Sequence, residues 1–319
     1  MEYGAHLPLI DLDGRGWDAG RLSSYARTAQ RLGFATLAAN DHLSFRRPWL
    51  DGIVSLASVI DASGDLDLAT TVALPVVRGP AALAKAAAAL DILSDGRFVL
   101  GVGAGSSATD YALSGVDFDE RWPRFEEAVR VLRSQLGRDD DLSPRGRFYP
   151  DPTPLAPKPK RSGRPPVWVA SWGSPAGLRR VARLGDGWLA SAYNTTPDQL
   201  AHGREVLRAS RSDSSNRDLT CVVATMWTQV TPTERERSQW LIRLAGLLGR
   251  DEHDLAGRVL IGSSEQCAAL LREYHDAGVD QVLVWPLADH ERQLELVVQE
   301  VIPLVAGGNS ASGRRRGAE

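Results

Sequence analysis

Residues 167–184 read VWVASWGSPAGLRRVARL, a short β-branched and aliphatic run, Val167 to Ala170, followed by an amphipathic stretch, Pro175 to Leu184. The first part predicts a strand and the second a helix, with only Ser171-Trp172-Gly173-Ser174 between them. Pro175 suits the first helical turn, where a missing N–H costs nothing. The same unit recurs on both sides. Further strands are predicted at Gly4 to Leu9, Ala35 to Ala38, Leu66 to Leu74, Phe98 to Val102, Gly187 to Ala190, Leu219 to Thr228 and Gln281 to Trp285. The helical patterns between them are Asp18 to Leu32, Gly52 to Ala62, Ala81 to Leu93, Arg124 to Leu136, Pro197 to Ala209, Glu234 to Leu248 and Ser264 to Ala277. Such alternation demands parallel strands joined by crossover helices. A doubly wound open sheet alternates too. Eight predicted strands with no dinucleotide fingerprint after the first favour an α/β fold closed into a (β/α)8 TIM barrel with surface insertions.

The punctuation agrees. Gly33 closes the first helix, Ser264 is expected to cap the last, and Gly278 stands where its C-terminal cap belongs. Gly137 to Pro166 is rich in Pro, Arg, Lys and Asp and reads as an excursion over the surface. Glu234 to Arg258 holds more helical pattern than one crossover needs and is expected to cover the barrel mouth. Residues 1–305 therefore read as one barrel domain, and 306–319, with its glycines, serines and three arginines, as a disordered tail.

Bulk composition narrows the function. Hydrophobic residues at 43% and charged residues at 24% support a large core and argue against disorder. A net charge of -3 offers no general attraction to nucleic acid or to an acidic membrane. Cys221 and Cys267 are too few for a disulfide framework, and each sits in an apolar run, so buried thiols in a reducing compartment are expected. Met1-Glu2-Tyr3-Gly4 shows no signal-peptide pattern, and the alanine-rich run Ala81 to Leu90 is broken by Lys85. A soluble cytoplasmic protein is expected. No His/Cys/Asp cluster stands at metal-ligand spacing, and no nucleophile elbow is present.

In a barrel of this kind chemistry sits at the C-terminal ends of the strands, which singles out four segments. Asn40-Asp41-His42 follows strand two, where a histidine beside a carboxylate can serve as an acid–base group or be an ordinary loop residue. Ala69 to Pro75 ends strand three, and its small hydroxyl residues could approach a planar ring, although strand propensity alone explains them. Gly101-Val102-Gly103-Ala104-Gly105-Ser106-Ser107 leaves strand four; its glycines let backbone approach a ligand, but the spacing is neither a P-loop nor a Rossmann turn. Ser171 to Ser174 runs into a helix N-terminus, which suits a phosphate or a plain serine cap, with Gly173 and two serines tilting the reading toward phosphate.

The ordered motifs resemble the bacterial luciferase-like superfamily, flavin mononucleotide (FMN) monooxygenases and oxidoreductases of the deazaflavin coenzyme F420. They are Leu32-Gly33-Phe34 with Asn40-Asp41-His42; Leu83-Ala84-Lys85 with Leu90 to Arg97; the turn Gly101 to Gly105; Arg121 and Glu126; Pro165 to Val169; Gly185 to Trp188; and Gly262 to Glu265 with Asp276 to Asp280. The resemblance spans about Gly4 to Leu304. It implies a flavin or deazaflavin ring in the barrel mouth, a cis peptide at Thr71-Val72 against it, His42 as active-site histidine with Asp41 orienting it, and a phosphate turn at Gly173 and Ser174. The full set of implied ring and phosphate contacts is Thr71, Val72, Gly103, Gly105, Ser106, Ser171, Trp172, Gly173 and Ser174. Phe45, Trp49, Trp172 and Tyr193 are candidate ring or substrate contacts.

Two departures bear on function. Many relatives carry His where Arg78 precedes Gly79-Pro80, and sugar-phosphate dehydrogenases of the deazaflavin branch carry a catalytic Glu where Ser106 stands. Serine is a poor general acid, which argues against the same chemistry. The glycine turn with Asp110-Tyr111 resembles the deazaflavin branch more closely, so F420-dependent hydride transfer on a small organic substrate is expected. The alternatives are an FMN-dependent monooxygenase, usually fed by a separate reductase, and a barrel that only binds flavin. Relatives are often homodimers.

Overall fold

The computed structural model describes residues 1–12, 14–137, 146–149, 153–210 and 219–307. From the N-terminus the elements are β1 (Glu2–His6), α1 (Ala19–Arg31), β2 (Thr36–Ala39), α2 (Gly52–Ser58), β3 (Asp67–Thr70), α3 (Pro75–Arg78), α4 (Pro80–Leu93), β4 (Phe98–Val102), α5 (Ala108–Leu113) and α6 (Arg121–Leu136). The second half contributes β5 (Val167–Ala170), α7 (Pro175–Leu184), β6 (Gly187–Ser191), α8 (Pro197–Ala209), β7 (Thr220–Val230), α9 (Glu234–Leu248) and α10 (Glu252–Leu255). It ends with β8 (Leu260–Gly262), α11 (Ser264–Asp276), β9 (Gln281–Pro286), α12 (His290–Leu296) and α13 (Ile302–Gly307).

Strands β1 to β7 pair in sequence order, β7 pairs with β9, and β9 returns to β1, all in parallel. Eight strands thus close the barrel, and they are the eight legible in the sequence. The ninth, β8, pairs only with the overhanging end of β7, from Thr228 to Val230. Inside the ring, Ala38, Ala69, Val99, Leu189, Val222 and Leu283 pack around Trp168. Outside it, a larger core fills the space between strands and helices. Helix α9 does cover the mouth: Leu241, Leu244 and Ala245 pack on Trp227 and Trp285.

Several boundaries differ from the sequence reading, the first strand (Glu2–His6, not Gly4 to Leu9) and the second helix (Gly52–Ser58, not Gly52 to Ala62) among them. Strand β3 stops at Thr70 rather than Leu74, because Pro75 opens α3; the Thr71-Val72 peptide between them is cis. The last predicted helix is capped by Ser263, not Ser264: Ser263 Oγ accepts from Gln266 N while the Gln266 side chain accepts from Ser263 N, a reciprocal capping box. Ala306 and Gly307 belong to α13, and the remainder of the expected tail lies outside the described residues. Part of the expected surface excursion likewise falls outside them. Among the described residues no helix is long and apolar enough to cross a membrane.

Asp186 pins the start of β5. Its oxygens accept from Arg164 (2.5 and 2.9 Å), from Arg133 Nη1 (3.3 Å) and from Val167 N (2.8 Å). Burial alone raises its pKa, but the Arg164 bond, the Val167 N–H and the two arginine charges outweigh that and hold it at about 2. A folded pKa below the unfolded one stabilises above the unfolded value, near 4, and that gain is lost as pH falls through the folded value. Asp186→Asn is therefore expected to lose about 1–2 kcal/mol at pH 7, with solvent screening included, and to converge on the wild type as pH falls from 4 toward 2. Urea unfolding at pH 7 and pH 3 measures the difference.

Candidate functional site

At the C-terminal ends of β2 to β7 lies a cavity of about 490 Å³. Asp41, His42, Thr71, Val72, Gly103, Gly105, Ser106, Ser171, Trp172 and Ser174 all line it, and Gly173 sits between two of the lining residues. Segments scattered from residue 40 to 174 in sequence therefore meet at one place. A second hollow, of about 560 Å³, lies between the starts of α1 and α12 and contains none of these residues.

His42 is held from three sides. Its ring meets Trp49 edge-on at 4.8 Å and Phe45 at 5.2 Å between centroids. Its Nδ1 lies 2.8 Å from Oδ2 of Asp110, and Asp110 Oδ1 accepts from Ser44 N at 2.9 Å. A buried carboxylate on Nδ1 makes that nitrogen the N–H donor and leaves Nε2 as the basic nitrogen for the cavity. Asp110 sits in the first turn of α5, whose N-cap Ser107 accepts from Asp110 N at 3.2 Å.

Asp41 does not orient His42, contrary to the sequence reading. Its carboxylate accepts both Nε (2.5 Å) and Nη2 (2.7 Å) of Arg78, together with Leu74 N at 3.3 Å. The same Nη2 also reaches Asp51, the N-cap of α2. Arg78 thus ties the ends of β2 and β3 and the start of α2 into one clamp around the His42 loop. A bidentate, buried Arg–carboxylate pair of this kind is strong and geometrically specific.

The β3–β4 wall of the cavity is close-packed backbone. A Cβ on Gly103 would come within 2.8 Å of Val72 Cγ2, so only glycine lets the β4 turn meet the cis segment. Gly105 takes φ +79°, a left-handed bend that glycine adopts without penalty. Tyr111 OH braces the turn by donating to Ala104 O. Thr71 Oγ1 is buried, with no hydrogen-bond partner among the described residues. An orphaned hydroxyl on a cavity wall beside this glycine surface fits a planar heterocycle with polar atoms.

The phosphate turn is more committed to itself than its sequence suggested. Ser171 Oγ accepts from Gly173 N (3.1 Å), Ser174 Oγ accepts from Gly177 N (3.2 Å), and Pro175 has no N–H. Both serine oxygens are thus engaged, and what they can offer an anion is their hydroxyl protons; Arg121, which lines the cavity from the start of α6, adds a guanidinium.

Of the predicted aromatics, Trp172 and Tyr193 line the cavity, whereas Phe45 and Trp49 act behind His42. The β9–β1 side of the mouth is filled instead by a stack that the sequence did not reveal. His6 lies 3.5 Å from Trp285, and Trp285 lies 4.0 Å from Trp227. Burial lowers the His6 pKa to about 3, partly countered by its hydrogen bond to Leu7 O, so the ring is neutral packing. Both thiols are buried, and that burial pushes Cys221 and Cys267 up to about 12, which excludes them as nucleophiles.

The chain belongs to the luciferase-like monooxygenase family, whose profile matches residues 11–248. It is 25% identical to an F420-dependent glucose-6-phosphate dehydrogenase of Amycolatopsis mediterranei (strain U-32), over 88% of this chain and 93% of that one. A monooxygenase from Streptomyces bottropensis superposes with a TM-score of 0.79 at 20% identity, covering 95% of this chain and 99% of the other. An F420-dependent secondary alcohol dehydrogenase, solved with an F420–acetone adduct, gives 0.79 at 18% identity, covering 95% and 98%. These last two likenesses establish the shared barrel.

Proposed function

We propose that this protein is an oxidoreductase that uses coenzyme F420 to move a hydride to or from a small organic substrate, with His42 as its acid–base group. The observation that carries the reading is the Asp110–His42 pair at the cavity rim, which sets Nε2 as a basic nitrogen facing the cavity. When bound, the deazaflavin supplies a ring carbon that accepts or gives the hydride. Thr71, Val72, Gly103 and Gly105 would hold the ring, and Ser171, Ser174 and Arg121 would hold the anionic tail. In the oxidising direction His42 Nε2 takes the hydroxyl proton of an alcohol; in the reverse direction it returns a proton to the carbonyl oxygen. Trp172 and Tyr193 flank the cavity. The names of the relatives support F420 over FMN, and the buried free thiols suit a cytoplasmic enzyme.

Titration of the purified chain with coenzyme F420 and, separately, with FMN tests this. Saturable F420 binding, with FMN at least tenfold weaker, is the expected result. Saturation by FMN alone would move the chain to the reduced-flavin monooxygenases, with a reductase partner to supply the electrons.

A further inference from the structure

Helices α6 and α7 both begin at the cavity and run away from it. Arg121 and Trp122 line the cavity from the first turn of α6, and Ser174 and Gly177 line it at the start of α7. Two tryptophans that line this side of the mouth are left in solvent, Trp122 at 40% exposure and Trp172 at 57%. A pair of exposed indoles at one opening makes an amphipathic rim that a passing chain can cover.

Beyond that rim the seam between the two helices is cationic. Arg180 sits over the Trp122 ring at 4.2 Å, and its Nε donates to Oε1 of Glu126 at 3.0 Å. Arg183 Nη2 donates to Oε2 of Glu126, and Arg130 Nη2 lies 3.6 Å from the same oxygen. Three guanidiniums thus share one carboxylate, and among the described ion pairs none of the three meets another acid. At the rim Arg121 adds a further cation, paired with an exposed Asp119 at 4.0 Å. Arg180 and Arg183 lie one turn apart on α7, a spacing at which like charges repel and a second anion relieves them.

The phosphate turn points the same way. The oxygens of Ser171 and Ser174 already accept local N–H groups, so the strong anion-binding groups at this end of the cavity are the arginines. They do not stop at the rim: from Arg121 to Arg130 helix α6 rises roughly 13 Å.

We infer that the α6–α7 seam is a subsite for the part of the cofactor that leaves the cavity, an extended peptide-like chain carrying carboxylates. This rests on the proposed reading of the cavity as the deazaflavin's pocket. Coenzyme F420 continues beyond its phosphate into γ-linked glutamates, whereas FMN ends there. The amide planes of such a chain lie against the indoles of Trp122 and Trp172, and its carboxylates join Glu126 among the arginines. At about 6 Å per γ-linked residue, the seam takes roughly two or three of them.

Titration of the full chain at low salt with coenzyme F420 bearing one glutamate, and with F420 bearing about four, tests this. The longer tail is expected to lower Kd about 3–30-fold, and most of that gain is expected to vanish in about 0.5 M NaCl. The Arg180→Gln/Arg183→Gln double variant is expected to bind the two forms alike to within about twofold; the readout is the difference between tails, which a general weakening leaves in place. Glu126→Gln removes the competing carboxylate and is expected to tighten the long-tailed cofactor by about 2–5-fold, a gain that lost folding cannot produce. If the wild type binds long and short tails equally, or Glu126→Gln weakens the long-tailed form, the inference falls while the function stands. If the wild type binds neither form, the pocket reading falls and takes the inference with it.

Discussion

Replacing His42 with alanine is expected to slow turnover by about 10²–10⁴-fold while leaving the Kd of coenzyme F420 within about threefold. Among the cavity-lining residues, His42 is the one with an imidazole nitrogen left to take up and return a proton, because its Nδ1 is already engaged by Asp110. The Asp41 carboxylate is clamped by Arg78, Arg121 is a permanent cation, and Ser106, Ser171 and Ser174 are hydroxyls far too weak as bases. Removing a general base of this kind withdraws about 3–5 kcal/mol of transition-state stabilisation, and little of that belongs to cofactor binding. The measurement is the change in deazaflavin absorbance with any alcohol or carbonyl compound that the wild type turns over, beside a separate binding titration. Turnover within twofold of wild type would remove His42 from the chemistry. A cofactor Kd raised as steeply as the rate falls would make it a ring contact instead.

The barrel was legible because short, mostly aliphatic or β-branched runs alternate with amphipathic stretches along the chain, and eight such runs leave few ways to close. Strand β8 was not. Leu260–Gly262 is three residues long and pairs only with the overhang of β7, so its pattern merges with the loop before α11. The site divides in the same way. Segments that end strands could be placed at the mouth by rule, and the cavity gathers them. Partner choice could not be read, because it depends on side-chain direction. Asp41 is the nearest carboxylate to His42 in sequence, but its side chain is taken by Arg78. The residue that does meet His42 is 68 positions away. Arg78 was visible only as a departure from relatives, without its two carboxylates. Ser171 and Ser174 read as phosphate ligands by type, yet each oxygen already accepts a local N–H, so only their hydroxyl protons remain for an anion.

Asp110→Asn is expected to lower turnover by about 10²-fold or more, with the Tm and the cofactor Kd little changed. The geometry makes the amide substitution sharper than it first looks. Ser44 N–H claims one oxygen of Asp110 at 2.9 Å, and His42 Nδ1 meets the other at 2.8 Å. In the asparagine variant the remaining amide oxygen is the natural acceptor for Ser44 N–H. The amide nitrogen then faces Nδ1 as a donor, so Nδ1 must become the acceptor and the imidazole proton moves to Nε2. The nitrogen facing the cavity then starts the oxidising direction already protonated and cannot take the substrate's proton. The residue is nearly the same size and stays buried, so packing is preserved while the tautomer inverts. Nitrogen-15 chemical shifts of the His42 ring measure this directly: the proton is expected on Nδ1 in the wild type and on Nε2 in the variant. A merely structural Asp110 would lower the Tm and leave the tautomer alone. Unchanged shifts together with unchanged turnover would show that Asp110 holds the Ser44 loop and nothing more. Asp110→Ala removes both acceptors and is expected to lose stability as well as rate, which separates the two roles of the same carboxylate.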